Sequence, residues 1–447
     1  MRSQSVVEAR KAFSMHGFTV RSIALVAILA LTIPLARVAI FHSTRPYFFG
    51  QGYMYKELAV ALATGRGYSD SAGHPSIRRA PLWPFVLSLP MRLCRTCDPL
   101  PVTRVLEALM HAMTAFGVAL LVGGLSGSIR RMLLAVLVTA LLPETQPLLL
   151  GGYCEPLATA LLVFGILLIT IGKRFFVSGV LVLSLLPLVR PNFLILWLAA
   201  LAVIAWRHFH DPSRINFVSW RRLIGAALLF SIPSAAWVAR NYLVSGRFPV
   251  LAGTSSATLY GNYNPVSGAW GPDFGKWIDP GQLPGENNPN HLSQRLSEAE
   301  DLRNLDLKGK EFIAHHWRVV PLLFVAHVVR SFLPSAENGA HMYSFWLLRL
   351  ILYAAALVAI RQKSIPVDSW FGILLASTVA VTAVTVVLYS GDDRYLYPLN
   401  ILLLVFVFST RYQRFAPLNK LDEYFLRRPI ALLVRARRNT MPERVNQ

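Results

Sequence analysis

The sequence predicts an all-α polytopic membrane protein, a bundle of about ten membrane-spanning helices with two external loop regions. Three observations carry this. Only 15% of the 447 residues are charged while 54% are hydrophobic, against about a quarter charged in a soluble domain. Long apolar stretches recur from end to end, for example at 23–40, 157–172 and 347–360, each close to the ~20 residues that cross a ~30 Å hydrocarbon core as a helix. The basic excess, 44 Lys and Arg against 23 Asp and Glu for a net charge of +21, falls mainly in short connections between those stretches, as the positive-inside rule requires. That placement argues against the nucleic-acid reading that such a charge suggests in a soluble chain. Unpaired backbone groups are costly in lipid, so uninterrupted apolar runs must be helices, and alternating β-barrel strands are not seen.

In chain order, residues 1–21 read as a cytoplasmic N-terminus carrying Arg2, Arg10, Lys11 and Arg21. The apolar run that follows is long for a signal peptide and lacks a small-residue cleavage site, so it reads as a retained first span. Residues 42–101 then lie outside, with a short apolar stretch at 81–93 that lies along the interface or re-enters. Span two occupies 102–125 and returns at Arg130 and Arg131. Span three ends outside near Leu150, and span four reaches Lys173 and Arg174. Spans five and six turn outside at Arg190-Pro191-Asn192, and Arg207, Arg214, Arg221 and Arg222 mark the next cytoplasmic loop. Span seven covers 223–238.

The second external region runs over about 240–317. Its first half is a Gly/Pro/Asn/Tyr-rich loop in which Trp270, Trp277, Tyr260 and Tyr263 argue against disorder. In its second half Leu292, Leu296, Ala299, Leu302 and Leu305 recur at helical spacing and predict an amphipathic helix. A loop of this length in a compact membrane protein is usually functional. Segment 318–334 contains His327 and Arg330, and the parity of the remaining spans makes it interfacial or re-entrant. Three spans complete the transmembrane domain, 22–410. The tail, 411–447, has nine basic and three acidic residues and reads as an interfacial anchor on anionic lipid.

Cys94 and Cys97 form a lone C-x-x-C with no second pair for a zinc site, so a disulfide or two idle thiols is the expectation, and Cys154 reads as packing. The external face carries more chemistry than a connector needs. Between residues 45 and 84, Arg45, Lys56, Arg66, Arg78 and Arg79 stand against Glu57 and Asp70. That bias is offset by lipid headgroups or by a bound phosphate, which Arg engages through bidentate, charge-assisted hydrogen bonds. Glu155, Arg190, Arg240 with Asn241, and Asp392-Asp393-Arg394 lie at the outer ends of spans. Ionisable groups at membrane depth are functional candidates by default, and mutual salt bridges closing the bundle are the structural alternative. No P-loop, dinucleotide fingerprint, His-x-x-x-His pair or Gly-x-Ser-x-Gly elbow is present.

The order of these motifs resembles the GT-C membrane glycosyltransferases, the group that includes dolichyl-phosphate-mannose–protein mannosyltransferases, bacterial aminoarabinose transferases and lipopolysaccharide-core sugar transferases. The resemblance covers about residues 20–410. It rests on Tyr55-x-x-x-Ala59 leading to Gly65-Arg66-Gly67-Tyr68-Ser69, on Arg79-Ala80-Pro81-Leu82-Trp83-Pro84, on Gly152-x-x-Glu155-Pro156-Leu157 and on Leu188-Val189-Arg190-Pro191-Asn192. Further along it rests on Trp237-x-x-Arg240-Asn241-Tyr242, Gly246-Arg247-Phe248, Gly261-Asn262 and Asp393-Arg394-Tyr395-x-x-Pro398-Leu399.

The resemblance implies a GT-C-like helical bundle in the bacterial inner membrane with its site facing outward. Its activity would be inverting transfer of a sugar from a polyprenyl-phosphate carrier to a lipid, glycan or protein acceptor, with no metal or other cofactor. In such enzymes an acidic residue of the first external loop acts as base and basic residues hold the leaving phosphate. Here Gln51-Gly52-Tyr53 stands where that acidic residue is expected, and Gln is not a general base. Either the base has moved, to Glu155, Glu57 or Asp70 in that order of preference, or the acceptor needs little activation, or transferase activity has been lost; Arg79, Arg394, Arg240 and Lys56 are the expected phosphate contacts. Gln51, Tyr55, Arg190, Asn262, Asp392 and Asp393 are the expected lining of the cavity. The alternatives are a transporter or flippase for a lipid-linked or polar substrate and a non-catalytic lipid-binding assembly subunit. The two halves show no internal repeat of the kind many transporters carry.

Overall fold

The computed structural model describes residues 18–41, 51–94, 97–142, 145–171, 173–210, 220–246, 251–283, 298–333, 342–361, 370–389 and 393–410. The tail beyond 410, and with it the expected anchor, lies outside the described residues, as do Leu292 and Leu296 of the predicted amphipathic helix. Among the described residues the fold is all-helical, with a single isolated bridge between Ser69 and Pro75.

Helices α1 (Val20–Phe41), α4 (Pro99–Ser126) and α15 (Trp370–Tyr389) contain stretches long and apolar enough to cross a membrane. Helices also occupy the other stretches expected to span: α5 (Ile129–Leu141), α6 (Thr145–Leu150), α7 (Glu155–Ile171), α8 (Phe176–Ser184), α9 (Leu194–His210), α10 (Trp220–Ser245), α14 (Met342–Arg361) and α16 (Tyr397–Ser409). The two regions expected outside contribute α2 (Gln51–Ala63), α3 (Leu82–Leu93), α11 (Thr254–Asn262), α12 (Glu298–His315) and α13 (Val320–Phe332). Leu302 of α12 is buried, on the apolar face that its spacing predicts. The expected turn at Arg190-Pro191-Asn192 connects α8 and α9 through two short 3-10 turns.

Local chemistry sets the ends of these helices. Asp98 caps α4 by accepting from the Leu100 amide at 3.0 Å, and Pro99 sits at the first position, where no amide is needed. Gly127 ends α4 in the left-handed region at φ 68°, a conformation costly for other residues. Ser128 then opens α5 as its cap. Arg37, an ionisable residue inside an apolar helix, donates to the carbonyls of Ala140 and Leu142 at 3.0 and 3.1 Å. These carbonyls end α5 without intrahelical partners, so the arginine serves backbone that lipid would leave unsatisfied. On α15, Ser377, Thr378 and Thr385 donate back to the carbonyls of Ile373, Leu374 and Val381, which removes their hydroxyls from the apolar surround.

The main core joins α2, α3, α4, α7, α8, α9, α15 and α16 around Trp83, Leu121, Leu162, Trp197, Phe371 and Val405. Cys94 and Cys97 form a disulfide just after α3, one of the two states expected from their spacing. The two external regions are stitched together directly. Glu298 accepts from the Ser76 hydroxyl at 2.9 Å and the Ile77 amide at 2.7 Å. Arg78 pairs with Asp301 at 3.1 Å, and Gly253 and Thr254 donate to the carbonyls of Ile77 and Arg78. The two regions expected outside are thus joined to one another in a single ordered layer.

Candidate functional site

The site begins at the tight turn 151–154 between α6 and α7. Gly152 lies at φ 77°, and Trp83, fully buried on α3, donates its indole N–H to the Gly152 carbonyl at 3.2 Å. The start of α2 rests on the same turn. A Cβ on Gly52 would stand 2.0 Å from the Gly151 carbonyl oxygen, so only glycine fits there. The position of Gln51, where the resemblance expects an acid, is thereby set beside the turn that delivers Glu155.

Glu155 is the first residue of α7, with Pro156 behind it, a favourable place for a carboxylate at a helix N-terminus. Its Oε1 lies 3.3 Å from Arg190 Nη1 and 3.7 Å from Arg394 Nε. Arg190 comes from the turn between α8 and α9, held in an extended conformation. Arg394 comes from the 3-10 turn Asp393–Leu396 that leads into α16. Tyrosine rings hold both guanidiniums: Arg190 lies 4.5 Å from the Tyr395 centroid, and Arg394 lies 5.2 Å from Tyr153 and 5.4 Å from Tyr395. Such contacts strengthen where water is excluded.

The first external region reaches this cluster through Tyr55. Its hydroxyl donates to Cys154 Sγ at 3.3 Å, and that sulfur lies 3.6 Å from Glu155 Oε2. Burial pushes the Tyr55 phenol well above its ordinary range and the Cys154 thiol up to about 12, so both stay protonated donors at neutral pH. Arg79, itself buried, lies 5.2 Å over the Tyr55 ring and donates to Met54 Sδ. The Tyr68 hydroxyl donates to the Arg79 carbonyl at 2.9 Å and fixes the backbone there. Burial also raises the Tyr68 phenol well above the usual range, which keeps that donor in place.

Five of the residues expected at the site therefore converge: Tyr55, Arg79, Glu155, Arg190 and Arg394. The mutual salt bridge weighed as a structural alternative is present between Glu155 and the two arginines. Other candidates are placed elsewhere. Arg240 donates to the carbonyls of Ser76 and Tyr68 and to Asn241 Oδ1, with its guanidinium 4.9 Å from the Trp237 ring. It clamps the first external region. Asn262 donates to the Thr258 carbonyl inside α11. Asp70 closes a turn by accepting from the His74 amide at 2.8 Å. Lys56 and Glu57 are half-buried and leave α2 about 100° and 200° around from Tyr55, with Lys56 Nζ 5.6 Å from the Tyr53 ring. The side chains of Gln51 and Asp393, and the whole of Asp392, lie outside the described residues.

One group was missed in the sequence. Arg104, Glu107 and His111 are buried on α4, and Glu107 lies behind the turn, facing the Gly152 and Tyr153 amides without meeting hydrogen-bond geometry. His111 Nδ1 meets the Tyr397 hydroxyl at 2.9 Å. The signal was their spacing: positions i, i+3 and i+7 in an otherwise apolar span share one helix face. Chemically, the cluster offers guanidiniums for an anion such as phosphate and a carboxylate within the same few ångströms. No family model matches the chain, and no curated protein matches it.

Proposed function

We propose that the chain is a multi-pass membrane glycosyltransferase that moves a sugar from a polyprenyl-phosphate carrier to a lipid, glycan or protein acceptor on the outer side of the bacterial inner membrane. In this reading about ten helical stretches cross the bilayer: α1, α4, α5 with α6, α7, α8, α9, α10, α14, α15 and α16. The observation that carries the reading is the meeting of Tyr55, Arg79, Glu155, Arg190 and Arg394. They come from separate chain segments, and each belongs to a motif on which the resemblance to GT-C enzymes rests.

The chemistry follows from these groups. An acceptor hydroxyl attacks the anomeric carbon of the donor, and the bond from that carbon to the phosphate oxygen breaks with inversion. The hydroxyl proton passes to a carboxylate, for which Glu155 is the first candidate and Glu57 and Asp70 are the others. The polyprenyl phosphate leaves carrying the electron pair, and the guanidiniums of Arg79, Arg190 and Arg394 stabilise its developing charge.

An amide series tests the proposal. Glu155→Gln, Glu57→Gln and Asp70→Asn are assayed for sugar transfer from a polyprenyl-phosphate donor in proteoliposomes. Loss of transfer in Glu155→Gln with donor binding retained supports the assignment. Full transfer in all three variants contradicts a carboxylate base. Sugar movement between leaflets without a new glycosidic bond replaces the enzyme with a transporter.

A further inference from the structure

Helix α13 has the polarity of a water-facing helix turned inside out. Its buried residues are Leu323, His327 and Ser331, whereas Leu322, Val325, Val329 and Phe332 are exposed, Val325 by 60%. These four recur at three- and four-residue steps and so form one outward stripe. The polar groups face inward and are used there. His327 Nδ1 donates to the Val387 carbonyl at 3.0 Å, and the Ser331 hydroxyl donates to the His327 carbonyl. Arg330 is drawn off the stripe, donating from Nε to the Phe274 carbonyl at 2.8 Å and from Nη2 to the Pro272 carbonyl.

The preceding helix is the opposite. On α12 the exposed positions include Glu300, Arg303, Asn304, Lys308, Lys310 and Glu311. The two helices are bent by 114°, and the bend carries Trp317, 64% exposed, with the Arg318 guanidinium 5.4 Å from its ring centroid. Tryptophan and arginine are the residues that settle at a water–lipid boundary. A second tryptophan, Trp270, 78% exposed and stacked on Phe274 at 4.4 Å, sits on the loop whose carbonyls Arg330 holds.

We infer that α13 lies in the outer leaflet of the bilayer with its apolar stripe on lipid, and that the bend between α12 and α13 marks the water–lipid boundary of the external layer. The occupant of the stripe is lipid because the surface continues onto helices that meet lipid themselves. α13 packs on α15, which is long and apolar enough to cross a membrane. The Phe332 ring meets Tyr353 of α14 at 5.7 Å, and Leu350, Ile351 and Leu357 of α14 are exposed. The inference rests on the membrane reading of the preceding subsection. It also makes α13 the element between lipid and Arg394, since its inner face packs on the turn that carries that arginine.

The test uses the full chain in lipid nanodiscs, with a nitroxide attached at Val325→Cys, Arg303→Cys or Ile28→Cys, and labelled wild type as the background for Cys154. Collisional relaxation by oxygen, which concentrates in lipid, is compared with relaxation by a water-soluble nickel chelate. Ile28 is an exposed residue of α1 and reports on the membrane reading itself. The expected result is that positions 325 and 28 are relaxed by oxygen and shielded from nickel, with position 303 the reverse. Nickel access at 325 equal to that at 303 would overturn the inference. Shielding of 325 from both agents would overturn it too, since protein, such as a second copy of the chain, would then cover the stripe. If position 28 is not relaxed by oxygen, the membrane reading fails and takes this inference with it.

Discussion

Glu155 Oε1 lies 3.3 Å from Arg190 Nη1, with side-chain exposures of only 3% and 10%. Removing one partner of such a pair strands the other charge away from water, a loss of about 3–5 kcal/mol. Glu155→Gln is therefore expected to lower the midpoint of thermal unfolding in detergent markedly. Glu155→Leu combined with Arg190→Met is expected to recover part of the loss, because Arg190 is then no longer a stranded charge, while Arg394 still loses its carboxylate partner. Equal midpoints for wild type and Glu155→Gln would show that the pair adds nothing to the fold.

The layer formed by segment 68–78 and α12 depends on Glu298, which ties the Ser76 hydroxyl and the Ile77 amide to the start of α12. Hydrogen bonds to a charged group contribute about 1.5–3 kcal/mol each. Glu298→Ala is expected to open the segment 68–78 locally, read as faster amide hydrogen exchange there with α4 and α7 unchanged. Arg240→Lys is expected to do the same to a lesser degree, since an ammonium does not reproduce the planar fork that reaches the Ser76 and Tyr68 carbonyls.

Burial and the neighbouring carboxylate raise the Cys154 thiol to about 12. The thiolate is the reactive form, so it is scarce at any pH well below that value and grows only as pH approaches it. Alkylation of Cys154 by iodoacetamide at mildly alkaline pH is expected to be negligible in the folded protein and rapid after denaturation. Mass spectrometry of the 151–155 peptide reads this directly, and fast labelling of the native protein would contradict the placement of the residue.

Tyr263 and His327 donate to the last carbonyls of α15, Leu388 at 2.9 Å and Val387 at 3.0 Å, just before the turn that carries Arg394. Helix C-termini leave such carbonyls without intrahelical partners. Tyr263→Phe and His327→Ala are each expected to destabilise by about 1 kcal/mol and to speed amide exchange at 386–396. His327→Asn, which retains a donor, is expected to recover part of the effect. Unchanged exchange in both alanine and phenylalanine variants would remove the capping role.

Much of the helical architecture was legible because lipid imposes a simple rule: an apolar run of spanning length must be a helix. The turn at Arg190-Pro191-Asn192 and the helix around Leu302 and Leu305 followed from such patterns. The site was legible in part. Glu155, Arg190 and Arg394 could be named from their positions at the ends of apolar runs, but their pairing is a tertiary fact between residues far apart in sequence. Arg240 carries the same charge and a similar position, yet its partners are backbone carbonyls, which no side-chain pattern announces. Arg104, Glu107 and His111 went unread because the apolar residues around them set the character of the span. The break before α13 was legible, since Pro321 cannot continue a preceding helix and 318–334 reads as a separate interfacial or re-entrant segment, but the angle of the bend is a tertiary fact.

A carrier site at Arg79 and Arg394 is tested by mass spectrometry of lipids that co-purify with the detergent-solubilised protein, compared between wild type and the Arg79→Ala, Arg394→Ala double variant. A polyprenyl-phosphate sugar is expected to be enriched on the wild type and lost from the variant, which would also identify the donor sugar. Bulk phospholipid alone, in equal amounts on both proteins, would contradict a carrier site at these arginines.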